Sequence, residues 1–327
     1  DELTSSVFKT LKKELDEILA KRYKIKKLEL MPWHYHDRFF QEDPKIFQVN
    51  LDRYYKDKDV AQIAHDFYKS IGLDVSDILK RSDLYEKPGK NQHAYCIDID
   101  REGDIRILQN IKGDEKWMST TLHELGHANY DKYINKQLPF FLRTHAHILC
   151  TEAIAMLFGR LSSNANWMKD ALGIDNNIED VTRKILQLKL LIFSRWCQVM
   201  LHFEKSLYEN PNQNLNRAWW SLVNKYQFLN DPERNKPDWA TKIHICTVPV
   251  YYHNYMIGEL FASQIHHRIK EFLKKDNYHF SYYNRNEIGS FLKEKIFIHG
   301  AKYIWKELIE KSTGEPLNPK YFVEQFA

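Results

Sequence analysis

The chain has 327 residues, of which 43% are hydrophobic and 28% charged, with a formal net charge of +4. That is an ordinary globular composition with ample core, and its lysines are interspersed with acids, which argues against a nucleic-acid stripe. No apolar run approaches the roughly 20 residues that span a bilayer, and four cysteines without CxxC spacing point to buried free thiols, with one bridge left open.

The first segment, "DELTSSVFKTLKKELDEILAKRYKI", reads as an amphipathic helix with Phe8, Leu11, Leu15, Ile18 and Leu19 on one stripe. It has neither initiator methionine nor signal sequence, so the expectation is a domain fragment or processed chain whose N-terminal lid region is missing. A second helix, 58–71, closes on a glycine. Residues 92–110, "QHAYCIDIDREGDIRILQN", alternate apolar and polar on both sides of "DREGD", the pattern of a β-hairpin. Helical periodicity then returns over 116–134, 141–162, 178–208, 214–228, 249–275, 286–296, 298–312 and 318–326, with a proline-bearing loop at 230–239. The expected fold is mainly α, a single domain over 1–327, with a small antiparallel hairpin just upstream of the helix at 116–134.

That helix carries "MSTTLHELGHANYDKY". Residues four apart share a helix face, so His123 and His127 can give two imidazole nitrogens to one metal. Glu124 sits roughly 100° around the helix, placed to act on a water beside the metal without ligating it. The histidines lie among Leu122, Leu125, Gly126 and Ala128, which suits a buried helix better than a wet one. Zinc needs a third protein ligand, and the next helix offers Glu152, the only acid between Asp131 and Asp170 and one surrounded by apolar residues. Its alternative is an ion pair with Arg143 or Arg160. His145 and His147 are rival ligands, read instead as capping, packing or cleft-lining residues.

HELGH followed by "QLPFFLRTHAHILCTEAIA" resembles the gluzincin metallopeptidases, specifically the angiotensin-converting-enzyme (peptidyl-dipeptidase A) family, with the thimet-oligopeptidase group as relatives. The resemblance extends to "YEKPGKNQHAYCIDI", "AWWSLVNKYQFLNDPERNKPDWATKIHICTVPVYYHNYMIGELFASQ" and "STGEPLNPKYFVEQF". It implies a large helical metallopeptidase lobe with the hairpin beside a zinc cleft, one zinc ion per chain, and peptide substrates. It implies His123, His127 and Glu152 as zinc ligands and Glu124 as general base. His93 and Ala94 would then lie on a strand that binds the substrate backbone, His244 would stabilise the tetrahedral intermediate, and Lys242 would hold the substrate's C-terminal carboxylate. Tyr252 aligns with the transition-state tyrosine and Tyr255 with a second tyrosine of the thimet group, in a register loose by one residue.

There are departures. The lysine's tyrosine partner falls on Val250 unless Tyr251 replaces it. The expected carboxylate-binding glutamine has no counterpart before Gln41. An aspartate that supports a metal histidine is Met156 here, and the chloride-holding arginine is His253 or Tyr252. The activity implied is peptidyl-dipeptidase hydrolysis. Endo-acting oligopeptidase or carboxypeptidase action, or a catalytically silent peptide-binding scaffold, are the alternatives.

Overall fold

The structure, a computed structural model, describes residues 2–47, 49–174 and 178–326. In chain order the helices and strands are α1 (Glu2–Tyr23), α2 (Asp52–Tyr55), α3 (Val60–Ser70), α4 (Ser76–Arg81), β1 (Tyr95–Asp98), β2 (Ile105–Leu108), α5 (Glu115–Lys132), α6 (Ile148–Gly159), α7 (Ala165–Leu172) and α8 (Glu179–Glu209). They continue as α9 (Leu215–Gln227), α10 (Ile243–Thr247), α11 (His253–Phe272), α12 (Asn286–Lys295), α13 (Trp305–Thr313) and α14 (Lys320–Val323). The fold is mainly α with one small antiparallel hairpin, as the periodicity implies. Among the described residues no helix is long and apolar enough to cross a membrane. The four cysteines are free, with Cys150 and Cys197 buried but Cys246 exposed, against the expectation of uniformly buried thiols.

The chain divides into two compact units. One comprises Asp1–Gln48, Lys184–Met256 and Phe326–Ala327, the other Val49–Arg183 and Ile257–Gln325. The core of the first gathers Phe8, Leu15 and Leu19 of the α1 stripe with Trp196 and Phe203 of α8 and Trp219 and Val223 of α9. Phe39, Trp196, Trp219 and Phe203 form a chain of ring contacts through it.

The second unit is built around α5. Asp114 starts this helix by accepting the Trp117 N–H at 2.8 Å. Thr120 then bonds back to the Lys116 carbonyl, and Thr121 reaches Gln109. Helix α6 is apolar on every side and buried from Leu149 to Gly159, so it is an interior helix rather than an amphipathic one. It packs on α5 at close range, because a Cβ at Gly126 would stand 2.8 Å from the Ala155 Cα. The sequence pattern starts this helix at about 141. His147 delays the start, its ring nitrogen accepting the Leu149 N–H, and residues 140–142 form only a 3₁₀ turn.

β1 and β2 pair in the register Tyr95↔Leu108 to Asp98↔Ile105, and both pack against α5. Among the described residues β1 pairs only with β2, which leaves its other edge open.

Candidate active site

On α5 the i, i+4 spacing sets the His123 and His127 Nε2 atoms 3.2 Å apart. From α6, Glu152 Oε2 lies 3.6 Å from the first and 3.8 Å from the second. The three donor atoms fall within 4.8 Å of one another, and they form the metal-capable cluster found among the described residues. Zinc–nitrogen and zinc–oxygen distances of about 2.0–2.1 Å put neighbouring donors roughly 3.3 Å apart around a tetrahedron. The observed separations sit around that value, and two of the three are too long for hydrogen bonds.

Electrostatics agree with a cation at this point. Burial pushes His123 down to about 4, and burial followed by the neighbouring His123 charge lowers His127, so both rings are neutral with lone pairs available. Glu124 is 7% exposed, and burial, reinforced by Glu152, pushes its carboxyl up to about 8. A divalent cation on the donor set would offset the Glu152 charge that helps raise the Glu124 carboxyl. The alternative partners for Glu152 are occupied: Arg143 pairs with Glu102, and Arg160 pairs with Glu259 at 2.5 Å. The residues fit zinc.

Close packing holds Glu152 in place. A Cβ on Gly258 of α11 would lie 3.1 Å from the Glu152 Cβ and 3.3 Å from the Ala153 nitrogen. The Thr151 hydroxyl lies 2.7 Å from His127 Nδ1, a contact that sequence reading missed although Thr151 adjoins the third ligand. His145 does not join the donor set and instead lies 3.6 Å from Asp131. His93 and Ala94 precede β1 rather than belonging to it, and the His93 N–H bonds Asn91. The inward-facing Cys96 of β1 feels the Asp131 and Glu124 charges; with burial as the larger cause, its thiol is pushed well up.

The remaining expected residues lie together in the first unit. Lys242 is 7% exposed, and its Nζ donates to Gln41 Oε1 at 2.6 Å. The ring faces of Phe39, Trp196 and Tyr252 stand 5.3–5.4 Å from the same nitrogen. Burial pushes Lys242 down to about 8 against the raising effect of Asp37 and Glu42.

Two assignments take shape here. Gln41, the first glutamine the sequence offers for the carboxylate-binding position, is the lysine's hydrogen-bond partner. A tyrosine that neighbours the lysine is Tyr252, whose ring faces its nitrogen. Val250 is 58% exposed, whereas Tyr252 is 4% exposed with its hydroxyl 3.4 Å from Gln41 Oε1. His244 stacks edge-on with Tyr252 at 4.9 Å, and Tyr255 lies 5.1 Å from Tyr252 and 6.1 Å from His244.

Residues 40–326 match the family model described as angiotensin-converting enzyme. The chain belongs to that family. It is similar to the angiotensin-converting enzyme of Theromyzon tessulatum, 24% identical over 274 residues that cover 77% of this chain and 43% of that one. Against the angiotensin-converting enzyme of Mus musculus the identity is 26% over 284 residues, 81% of this chain and 21% of the other. Carboxypeptidase 1 of Bacillus subtilis is 22% identical over 260 residues, 71% of this chain and 51% of that one. The chain thus spans less than half the length of these angiotensin-converting enzymes. Within the family match fall both the HELGH helix and the Lys242 cluster.

Proposed function

We propose that this protein is a zinc-dependent peptidase that acts near the free C-terminus of oligopeptides as a peptidyl-dipeptidase. The observation that carries the reading is the convergence of His123, His127 and Glu152 on one point, with Glu124 adjoining a ligand and intact. Zinc bound there supplies a Lewis acid for the scissile carbonyl and the charge that eases deprotonation of water. Glu124 takes the proton from the attacking water on its carboxylate and passes it to the leaving amine nitrogen. By the family resemblance, His244 and Tyr255 would be the hydrogen-bond donors to the developing oxyanion, interactions worth a few kcal/mol each. Tyr255 takes this role in place of Tyr252, because Tyr252 is occupied beside Lys242 and Gln41. The open edge of β1, with His93 and Ala94 leading into it, adds the substrate backbone as a further strand. Lys242, a buried ammonium faced by an amide oxygen and three rings, holds the substrate's terminal carboxylate.

The test is zinc analysis together with cleavage of a quenched fluorescent peptide. One zinc per chain is expected, and Glu124→Gln should lower kcat about 10²- to 10⁴-fold while retaining the metal. Zinc-loaded protein whose turnover is unchanged by Glu124→Gln would sink the mechanism, and loaded protein with no turnover would leave the peptide-binding scaffold. The similarity to a carboxypeptidase favours one second reading, removal of single residues. Mass analysis separates them, since a peptidyl-dipeptidase releases a dipeptide. Equal cleavage of a peptide and its C-terminally amidated twin would favour endo-acting hydrolysis.

A further inference from the structure

His127 offers its Nε2 to the donor set, and its other nitrogen is held from behind. Nδ1 lies 2.7 Å from Thr151 Oγ1. Thr151 is 5% exposed, on α6, directly before Glu152. One short stretch of helix therefore provides both a donor atom and a hydroxyl that supports a ligand from another helix.

An imidazole that donates its Nδ1–H keeps its lone pair on Nε2, the tautomer that can bind a metal through that atom. The support need not carry charge. A hydroxyl that accepts the Nδ1–H orients the ring without adding charge to a buried site. Met156, one turn further along α6, offers only a thioether.

We propose that Thr151 is the positioning residue for zinc in this protein, fixing the tautomer and ring plane of His127 through its hydroxyl. The inference rests on the zinc reading above, and it concerns affinity for the metal rather than a step of the reaction. Stabilising partners of this kind are worth 10- to 100-fold in metal affinity.

The experiment uses the metal-stripped full chain and zinc itself. Zinc affinity is measured by competition with a chromophoric chelator for wild type, Thr151→Val and Thr151→Ser, alongside the melting temperature of each without metal. Thr151→Val should weaken zinc binding 10- to 100-fold with an unchanged metal-free melting temperature, and Thr151→Ser should return to within a few fold of wild type. Equal affinity in wild type and Thr151→Val overturns the proposal, as does equal weakening by valine and serine, which would mark a packing effect. A wild-type chain that binds no zinc overturns the zinc reading itself and this inference with it. Should Thr151→Val fail to fold, Thr151→Ala against Thr151→Ser carries the same comparison.

Discussion

Lys242 shows how one buried charge can be read as chemistry. An ammonium almost removed from water is costly unless something compensates it, and here an amide oxygen and three ring faces do so only in part. A bound carboxylate would complete the compensation. Lys242→Met should therefore lower kcat/KM for a peptide with a free C-terminus by ten- to a hundredfold, from a loss of about 1.5–3 kcal/mol per charged hydrogen bond. The amidated twin should lose little. pH supplies a second check. The lysine is held near 8, below its usual value, so its charge is present below that pH and lost above it. Affinity for the free-carboxylate peptide should weaken as pH rises through about 8, and an inhibition series with the amidated peptide should show no such limb. This residue was legible from the resemblance, but its partner Gln41 was not, because the two lie 201 positions apart in the chain.

Among the elements, the contact of α5 with α6 decides whether the donor atoms meet. Both helices were legible from periodicity, and the motif face of α5 follows from i, i+4 spacing alone. How closely they approach was not legible, because a glycine inside a helical pattern looks like a weakness until its neighbour is known. At Gly126 the neighbour is the Ala155 Cα, 2.8 Å from where a Cβ would sit. Gly126→Ala should force the helices apart at a cost of about 1–3 kcal/mol and weaken zinc binding. Chemical denaturation together with the chelator titration measures both, and wild-type values in each would mean that the helices tolerate the methyl group. Elements without periodicity were also missed. α10 and α4 are single short turns, and the first part of the segment expected as a helix over 298–312 is a 3₁₀ turn, Phe297–His299, ahead of α13.

Across the whole molecule, stability leans on buried polar groups of the second unit. Arg160 and Glu259 form an ion pair with both side chains about a tenth exposed. Arg160→Leu leaves the Glu259 charge uncompensated and should cost about 3–5 kcal/mol, with Glu259→Leu added recovering most of it. Denaturant midpoints of the single and double variants test this, and simple additivity would count against it. Nearby His266 is held neutral between the Tyr282 hydroxyl and the Tyr278 carbonyl, and burial pushes it down to about 3. The unfolded chain protonates this histidine below about 6.5, so the unfolded state binds the extra proton and stability falls as pH drops from there toward 3. The melting-temperature advantage of wild type over His266→Gln should shrink across that window.

The sequence by itself determined the helical class, the hairpin, the HELGH donor pair and the identity of Glu152 as the isolated acid. Each of these depends on local spacing, or on the cost of burying a charge, and both can be seen along a single segment. Only the tertiary structure decided that Glu152 escapes Arg143 and Arg160, that Tyr252 and Gln41 attend Lys242, and that Thr151 backs His127. Those outcomes are choices among partners far apart in the chain, and the packing of whole helices makes them.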